Sequence, residues 1–238
     1  MEKLILMCNS GKIIIFINPF SYLILRKKIP IVKNVDKICI DGFLIIFFLN
    51  MLSFTNKFKR CSFDMTSIAP SVFRNAYTEN KTIYIIGTTQ DNLKNCICNI
   101  KETQNINLIG FRDGYFDTED EKNEALTKIK SINPDIVICG MGSPLQEEFL
   151  VKLKTIGWFG ESYTCGGFLH QTAKRINYYP EWVDKLNMRW AYRIYDEPKL
   201  FFRYFKYYPY ALLLFFMDYI KYKILNKKNF IYYIFNRQ

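Results

Sequence analysis

The sequence of 238 residues lacks an uninterrupted apolar run long enough to cross a membrane. Its longest apolar stretches are broken or stopped by polar residues at Asn18, Asp41 and Asp218, whereas a membrane-spanning helix needs about 20 consecutive apolar residues. The start, MEKLILMCNSGK, has too short an apolar run and no small-residue cleavage site for a secretory signal. We therefore expect neither a membrane-spanning helix nor a signal peptide.

Residues that bind metals are also scarce or badly spaced. His170 is the single histidine, and the seven cysteines are an odd number spread along the chain. Cys96 and Cys98 are separated by one residue instead of the two of a zinc or redox pair. No Asp-x-Asp motif occurs, the nearest sequence being Asp117-Thr-Glu119. The pattern argues against a metal site and indicates a reducing compartment, where cysteine is a small buried apolar residue.

Acidic residues are too few to balance the bases. The chain has 33 Lys and Arg against 22 Asp and Glu, a net charge of +11. Residues 1–60 hold 10 bases and 3 acids, residues 61–173 hold 10 and 14, and residues 174–238 hold 13 and 5. From Lys199 onward, eight bases and one acid are interleaved with aromatic residues. This pattern predicts an anionic partner, either a lipid headgroup layer or nucleic acid.

Apolar residues make up half of the sequence, which is enough for a sizeable core. Short β-branched or aliphatic runs alternate with segments of helix length. The predicted strands are Lys12–Ile17, Asp36–Ile40, Thr82–Gly87, Asn107–Phe111, Asp135–Gly140 and Trp158–Cys165. The predicted helices are Pro19–Lys27, Phe43–Leu52, Thr66–Thr78, Gln90–Thr103, Asp120–Ile132 and Leu145–Thr155. Such alternation is typical of βαβ units, so we expect an α/β fold with a mainly parallel sheet.

In open sheets of this kind, ligands bind beyond the carboxyl ends of the strands. Polar residues or glycines follow every predicted strand, and these loops should line one edge of the sheet. They are Asn18, Asp41, Gly87 to Thr89, Asp113 to Tyr115, Gly140 to Pro144, and Cys165 to Gly167.

The fifth of these loops, GMGSPLQE, joins a predicted strand to a predicted helix. Gly140 and Gly142 would leave backbone N–H groups exposed, and a helix that starts near Ser143 would direct its positive end at a diphosphate. Gln146 and Glu147, in the first helical turn, could hydrogen-bond ribose or sugar hydroxyls. The alternatives are a purely structural turn and, for Glu147, a favourable charge at a helix N-terminus.

Asp41 stands between two apolar runs at the end of a predicted strand. A partly desolvated carboxylate there can have its pKa raised into the working range of a general base. The alternative is an N-cap for the following helix. Asn18-Pro19 has the same two interpretations, as a helix entry or as a substrate-binding amide.

Taken together, these motifs resemble the WecG/TagA/CpsF glycosyltransferases, in the same order, over residues 12–208. The combination of GxGSPxQE with RWxYR…EP…RY is specific to that family. The matching segments are Asn18-Pro19, Asp41-Gly42, Arg60 to Asp64, Gly114 to Phe116, Asn133 to Asp135, Gly140 to Glu147, Gly166 to Phe168, Pro180 to Trp182, Arg189 to Arg193, Glu197-Pro198 and Arg203-Tyr204.

The resemblance implies an inverting glycosyltransferase of surface polysaccharide biosynthesis. It would move an N-acetylmannosamine-type or related sugar from a UDP donor to an undecaprenyl-diphosphate-linked saccharide. The implied architecture is a Rossmann-like catalytic domain over residues 1–180, with a basic aromatic helical appendage over residues 181–238 that docks on an anionic membrane surface. Such a protein is cytoplasmic and peripheral on the inner face of the bacterial cytoplasmic membrane, and its aromatic surface leaves room for a homo-oligomer.

The resemblance also assigns roles to residues. Asp41 would be the base that deprotonates the acceptor hydroxyl, and Asn18 and Gln146 would hold substrate. The residues that would stabilise charge on the leaving UDP are Arg189, Arg193 and Arg203. The other substrate-binding candidates are Gly140, Gly142, Ser143, Glu147, Gly166, Gly167 and His170. Since no metal motif is present, arginines and helix N-termini are expected to replace a divalent ion, which predicts transfer without a metal or other cofactor.

Two departures from the family pattern bear on which sugar is used. The segment Phe168 to Gln171 stands where Phe-Asp is usual, and Tyr178 to Pro180 stands where Arg-Ala-Pro is usual. His170 is either a second acid or base, a substrate contact or a loop-packing residue. The other functions compatible with the sequence are a nucleic-acid-binding protein and a non-catalytic membrane scaffold. Nucleic-acid binding explains the charge but not the GMGSPLQE loop or Asp41, so we expect no nucleic-acid partner.

Overall fold

A computed structural model describes residues 11–52, 58–186, 188–226 and 228–237. Residues 1–10, which were considered above for a signal peptide, lie outside the described residues. The strands are β1 (Lys12–Ile17), β2 (Lys37–Ile40), β3 (Thr82–Gly87), β4 (Asn107–Arg112), β5 (Ile136–Gly140) and β6 (Glu161–Thr164).

The helices alternate with these strands and then continue alone to the end of the described chain. They are α1 (Pro19–Leu25), α2 (Ile29–Val32), α3 (Phe43–Leu52), α4 (Ala69–Thr78), α5 (Gln90–Thr103), α6 (Glu119–Ile132), α7 (Leu145–Thr155), α8 (Phe168–Lys174), α9 (Glu181–Lys185), α10 (Arg189–Asp196), α11 (Tyr208–Leu225) and α12 (Phe230–Asn236). Between α10 and α11 lie a 3-10 turn at Pro198–Leu200 and a π-helical turn at Arg203–Tyr207.

The six strands form one all-parallel sheet in the order β2-β1-β6-β5-β3-β4, with helices on both sides. This confirms the predicted Rossmann-like α/β fold. Every residue of β5, IVICG, is buried, as expected for a parallel strand covered on both faces. In β4, at one edge, residues alternate between exposed and half-buried. The register of β3 with β5 runs from Ile83 opposite Ile136 to Gly87 opposite Gly140.

The predicted last strand began too early. It was expected from Trp158, but β6 starts at Glu161. Trp158 is 1% exposed, and its indole N–H donates to the carbonyl oxygen of Pro134 at 2.9 Å. Gly160 packs so closely that an added Cβ would lie 2.3 Å from the Trp158 ring. The segment before β6 is therefore a loop that places a buried indole, although its apolar composition is typical of a strand.

Contacts divide the chain into two compact units that interleave along the sequence. Unit 1 comprises Met1–Ile15, Asn34–Lys37 and Phe63–Ile176, and unit 2 comprises Phe16–Lys33, Ile38–Ser62 and Asn177–Gln238. These units are defined by packing alone. The predicted division into a catalytic domain and an appendage at residue 180 remains a prediction.

Unit 2 is held together by a buried carboxylate. Asp218 of α11 accepts hydrogen bonds from Tyr22 Oη at 2.8 Å and from Arg26 Nε and Nη2 at 2.7 and 2.8 Å. Burial and the charge of Asp218 raise the pKa of the Tyr22 phenol. The ring of Tyr22 also stacks on Phe230 and meets Phe215 edge to face. Helices α1, α11 and α12 therefore share one aromatic core.

The aromatic segment after Glu197 keeps many rings at the surface. Phe201, Phe202 and Phe205 are exposed, whereas Leu200 is buried. Pro209 lies in the first turn of α11, as its ring geometry favours. Within the described ranges, no helix is both long enough and apolar enough to span a membrane.

Candidate active site

Glycines bring the strand ends of unit 1 very close together. A Cβ added at Gly87 would lie 2.4 Å from the carbonyl oxygen of Gly140, and one at Gly114 would lie 2.8 Å from Gly87 Cα. The same loops are joined by hydrogen bonds, because Thr88 N–H donates to Gly140 O at 3.2 Å and Gly114 N–H donates to Thr88 O at 2.9 Å. The predicted meeting of these loops at the carboxyl ends of β3, β4 and β5 is therefore present in unit 1.

The GMGSPLQE loop runs from β5 into helix α7. Gln146 N–H donates to Gly142 O at 3.0 Å, and Glu148 N–H donates to Pro144 O at 3.0 Å, which closes the first helical turn. Gly142 has a φ of +78°, a conformation that favours glycine. A Cβ added there would meet no other described atom within 4 Å. The loop therefore presents open backbone at the N-terminus of an 11-residue helix, where an anion is favoured.

The polar side chains of this loop point inward. Glu147 is 0% exposed and Gln146 is 3% exposed. Glu147 Oε1 accepts from Ser143 Oγ at 2.8 Å and from Gln146 Nε2 at 2.9 Å. Gln146 Oε1 in turn accepts from Gly166 N–H at 3.2 Å. The network joins the loop after β5 to the loop after β6, and the predicted contacts of Gln146 and Glu147 with substrate remain predictions.

Burial is the main influence on the Glu147 carboxyl and raises its pKa. The hydrogen bonds from Gln146 and Ser143 oppose this shift by favouring the charged form. The net direction is upward, so the neutral acid is favoured relative to an exposed glutamate.

Gly166 and Gly167 lie in the loop after β6, and His170 lies in the first turn of α8. Gly166 has a φ of +52°, and Gly167 is the exposed N-cap residue of α8. The imidazole Nδ1 of His170 is 3.1 Å from Asn92 Nδ2. Asn92 is a partner of His170 that the sequence did not predict.

Asn18 in unit 2 begins helix α1. Its Oδ1 accepts from Phe20 N–H and Ser21 N–H, both at 3.0 Å, and Asn18 N–H donates to Ser21 Oγ at 2.9 Å. This is a reciprocal capping box. The helix-entry interpretation of Asn18 is therefore confirmed. Because Oδ1 is used by the cap, a substrate contact would have to come from the side-chain NH2 group.

Asp41 lies just beyond β2, and its N–H donates to Ile17 O at 2.8 Å. The first hydrogen bond of helix α3 runs from Ile46 N–H to Gly42 O, which makes Gly42 the N-cap residue and places Asp41 one position outside the helix. The Asp41 carboxylate instead pairs with Arg60, at 3.0 Å from Nη2. The sequence did not predict this pairing.

Two of the predicted arginines pair with acids of unit 2. Arg189 Nε donates to Asp184 Oδ1, and its guanidinium carbon lies 4.6 Å from the ring centre of Tyr179. Arg193 Nη2 is 2.9 Å from Glu197 Oε1, one helical turn on, and each side chain is 12% exposed. Arg193 Nε is buried without a hydrogen-bond partner among the described residues.

Asp41 and Arg193 both influence the pKa values of the same tyrosines. Burial is the largest cause of the raised pKa values of Tyr179, Tyr204 and Tyr208, and the negative charge of Asp41 adds to each. Arg193 acts in the opposite direction on Tyr179 and Tyr204. Unit 2 thus brings Asp41 and Arg193 to one tyrosine-rich cluster, which includes Tyr179 from the segment that departs from the family pattern.

Arg203, the third predicted arginine, lies against the helix that Asn18 begins. Its guanidinium carbon is 4.2 Å from the ring centre of Phe20, a cation–π distance. Phe20 also meets Tyr207 edge to face. Asn18 and Arg203 are therefore brought near each other through Phe20.

The hydrogen-bond and ion-pair partners that were not predicted differ in whether sequence spacing could have indicated them. Glu197 is four residues after Arg193, a spacing that predicts an ion pair on a helix. Asp184, Asn92 and the pairing role of Arg60 left no such local signal. Among the residues that the structure describes, no group of three or more His, Cys, Asp or Glu side chains is arranged to hold a metal ion.

Comparisons of the sequence with known proteins match glycosyltransferases, and two of the matches cover most of the chain. The sequence model of the family described as "Glycosyl transferase WecG/TagA/CpsF family" matches residues 1–229. A UDP-Gal:alpha-D-GlcNAc-diphosphoundecaprenol beta-1,4-galactosyltransferase of Shigella boydii is 33% identical over 218 residues, covering 91% of this chain and 90% of that protein. An N-acetylglucosaminyldiphosphoundecaprenol N-acetyl-beta-D-mannosaminyltransferase of Bacillus subtilis (strain 168) is 28% identical over 124 residues, covering 52% of this chain and 47% of that protein.

Proposed function

The chain belongs to the WecG/TagA/CpsF family of glycosyltransferases, and from this membership we propose that it transfers a sugar from a UDP-sugar to an undecaprenyl-diphosphate-linked saccharide. The observation that carries the proposal is the 33% identity with the Shigella boydii galactosyltransferase across nine tenths of both chains. The names of both relatives contain an N-acetylglucosaminyl diphosphoundecaprenol acceptor, so we propose the same acceptor class here.

The donor sugar is the less constrained half of the proposal. The family resemblance implied an N-acetylmannosamine-type or related sugar, which fits the name of the Bacillus subtilis relative. The Shigella boydii relative, which matches more of the chain, is named for UDP-Gal. We therefore propose UDP-galactose as the first donor to test and UDP-N-acetylmannosamine as the second.

The proposed chemistry is a single displacement with inversion. Asp41 accepts the proton of the acceptor hydroxyl as its oxygen forms a bond to the anomeric carbon, and the bond from that carbon to the UDP oxygen breaks. The charge that develops on the leaving diphosphate is met by Arg189, Arg193 and Arg203, whose planar guanidinium groups suit phosphate oxygens. No covalent intermediate forms, so the reaction requires no nucleophilic side chain.

Metal independence belongs to the same proposal. In it, arginine side chains and helix N-termini supply the positive potential that a divalent ion supplies in other transferases. Turnover that EDTA abolishes and added magnesium restores would contradict this part of the mechanism, whereas turnover that EDTA leaves unchanged would support it.

We further propose that the enzyme works on the inner face of the bacterial cytoplasmic membrane. The exposed rings of Phe201, Phe202 and Phe205 stand beside Lys199 and Lys206, which are also exposed. Apolar rings with flanking bases favour the surface of an anionic bilayer, where each basic residue adds about 1 kcal/mol. This placement would bring the site to a lipid-linked acceptor.

A donor screen tests the proposed function. The full chain is mixed with N-acetylglucosaminyl diphosphoundecaprenol and one UDP-sugar at a time, and the lipid product is identified by mass spectrometry. We expect the addition of one hexose from UDP-galactose or of one N-acetylhexosamine from UDP-N-acetylmannosamine. Binding of an oligonucleotide without transfer from any UDP-sugar would contradict the proposal and favour nucleic-acid binding.

A further inference from the structure

The buried carboxyl group of Glu147 is the feature of unit 1 that helix capping does not explain. Glu147 is the third residue of α7, the position from which a glutamate normally reaches back to the N–H of the N-cap residue. Here the N-cap residue is Pro144, which has no N–H to offer. Glu147 Oε1 instead accepts from Ser143 Oγ and Gln146 Nε2, at 2.8 and 2.9 Å. Oε2 is buried and has no hydrogen-bond partner among the described residues.

The Gln146 side chain depends on this carboxyl group for its orientation. Its Nε2 donates to Glu147, and its Oε1 accepts from Gly166 N–H at 3.2 Å. A donor at one end and an acceptor at the other fix which way the amide faces. Gln146 therefore connects the carboxyl group to the loop that follows β6.

The two loops joined in this way need such an anchor. Gly142 and Gly166 have φ values of +78° and +52°, and a Cβ at either position would meet no described atom within 4 Å. Glycines in open loops have the most conformational freedom of any residue. If a diphosphate binds through these backbone N–H groups, freedom that is lost on binding lowers the affinity, so loops held in place beforehand bind more tightly.

We propose that Glu147 is a positioning residue which, through Gln146 and Ser143, holds the loops after β5 and β6 in the conformation that binds the diphosphate of the nucleotide donor. The inference rests on the proposed function, since it takes a UDP-sugar as the ligand. Glu147 itself does not touch the ligand, because its side chain is fully buried. Its role is to accept hydrogen bonds, and it needs no negative charge for that role.

The substitution Glu147→Gln distinguishes the acceptance of hydrogen bonds by Glu147 from an effect of its charge. Burial raises the pKa of Glu147, which favours the neutral acid relative to an exposed glutamate. Glu147→Gln carries no charge, keeps an oxygen that can accept from both Ser143 and Gln146, and places an NH2 group at the position of Oε2. Glu147→Ala removes the acceptor. Glu148→Ala is the matched control, because it removes the neighbouring acid of the same helical turn.

The test is calorimetric binding of UDP to the full chain and its variants, supported by steady-state kinetics with donor and acceptor varied separately. We expect Glu147→Ala to weaken UDP binding by about 10-fold or more, since displacements near 1 Å have large effects in such sites. The donor KM should rise with it, and the acceptor KM should change by less than about threefold. Glu147→Gln should recover most of the UDP affinity, and Glu148→Ala should match the wild type.

A double-mutant cycle shows whether Glu147 acts through Gln146. If it does, Glu147→Ala should weaken UDP binding much less in a Gln146→Ala background than in the wild type. Additive effects would overturn the proposed route. Unchanged UDP affinity in Glu147→Ala, with only a lower melting temperature, would reduce Glu147 to a structural residue.

The inference and the proposed function fail in distinguishable ways. A wild-type protein that binds UDP but transfers no sugar would contradict the proposed function, and the UDP affinities of the variants would still decide the role of Glu147. A wild-type protein that binds no UDP would overturn the inference. Loss of affinity in Glu147→Gln equal to that in Glu147→Ala would also overturn it, because the charge would then be the essential property.

Discussion

Arg60 donates two hydrogen bonds to a single oxygen of Asp41, from Nη2 at 3.0 Å and from Nε at 3.2 Å. Nη2 also lies 2.7 Å from Ser62 Oγ, which helps to fix the guanidinium group. The side chains of Arg60 and Asp41 are 32% and 37% exposed. The pair therefore places a guanidinium group against one oxygen of the carboxylate, while the carboxylate stays accessible to an incoming hydroxyl group.

Asp41→Asn removes the proposed base with little change in size. We expect kcat to fall by about 10²- to 10⁴-fold, the usual contribution of a general base. UDP affinity and melting temperature should stay close to wild type, because the amide can still accept from Arg60. The measurement combines product formation with calorimetric UDP binding. Unaltered turnover would exclude Asp41 as the base.

Arg60 is predicted to act on the chemical step through Asp41. A partly exposed ion pair contributes up to about 1 kcal/mol, so Arg60→Ala should lower kcat by about fivefold. Arg60→Lys should recover only part of this loss, because a lysine ammonium group is a point charge without the planar fork of arginine. Weaker UDP binding at unchanged kcat would instead assign Arg60 to the donor diphosphate.

The order and type of the main elements could be predicted because parallel strands buried on both faces are continuous apolar runs. Strand β5 is the clearest case, since all five residues are buried. Helix α2, with four residues, was not predicted. It lies in apolar sequence where length does not separate a helix from a strand, and tertiary packing decides.

The meeting of the loops at the carboxyl ends of the strands could be predicted from the sequence. The hydrogen-bond partners of the side chains on those loops could not, because they depend on where each side chain points in the folded protein. Gln146 lies on the buried face of α7 together with Leu150 and Leu153, and its predicted contact with substrate stays a prediction. Its spacing of four and seven residues from these leucines is the helical signal that predicts this burial. Asn92 is 78 residues from His170 and is brought to it only by tertiary structure. Asp184 is five residues before Arg189, a spacing that does not place two residues on one face of a continuous helix.

The raised pKa of Glu147 predicts a pH dependence of stability. Above its ordinary pKa of 4.5, the unfolded chain releases the proton of Glu147 while the folded protein still holds it. The folded state then binds more protons, so this group makes the free energy of unfolding fall as pH rises through the window between 4.5 and the raised value. Glu147→Gln lacks the titrating group and should become progressively more stable relative to wild type over that window.

Melting temperatures of wild type and Glu147→Gln, measured between pH 4 and pH 8, check this prediction. Glu148→Gln is the control, because it removes a carboxyl group from the same turn of α7. A difference between wild type and Glu147→Gln that does not vary with pH would contradict the predicted titration of Glu147.

The exposed rings of unit 2 are predicted to bind the membrane surface. Replacing Phe201, Phe202 and Phe205 with serine removes apolar area that a bilayer would bury, at about 25 cal/mol per Å². We expect flotation with anionic vesicles to fall by at least about 10-fold, with the melting temperature nearly unchanged because all three rings are exposed. Point substitutions are preferable to truncation, because Asp218 and Arg237 contact other parts of unit 2.

Matched controls for the membrane prediction are Tyr77→Ser and Phe159→Ser. Both rings belong to unit 1 and are exposed to a similar degree, 57% and 54%. An equal loss of flotation in the controls would mean that any exposed aromatic ring contributes to vesicle binding, and would contradict a specific role for the segment that contains Phe201, Phe202 and Phe205. Flotation of the triple variant equal to that of wild type would remove the proposed role of the aromatic segment.

The buried carboxylate of Asp218 is predicted to be a main determinant of the stability of unit 2. Asp218→Ala leaves the Arg26 guanidinium and the Tyr22 hydroxyl without their shared acceptor. Removing one partner of a buried pair costs about 3 to 5 kcal/mol, and Arg26 retains some exposure, so we expect the free energy of unfolding to fall by about 3 kcal/mol. Tyr22→Phe removes one hydrogen bond to a charged group and should cost about 1.5 kcal/mol.

Denaturant unfolding of a double variant tests whether this cost comes from a charge left unpaired. Arg26→Met combined with Asp218→Leu replaces the pair by apolar side chains, a change that is often nearly neutral in protein interiors. We therefore expect the double variant to be more stable than Asp218→Ala, even though it carries two changes. If it were less stable than Asp218→Ala, the attraction between Arg26 and Asp218 would exceed the cost of burying them, and the ion pair itself would stabilise unit 2.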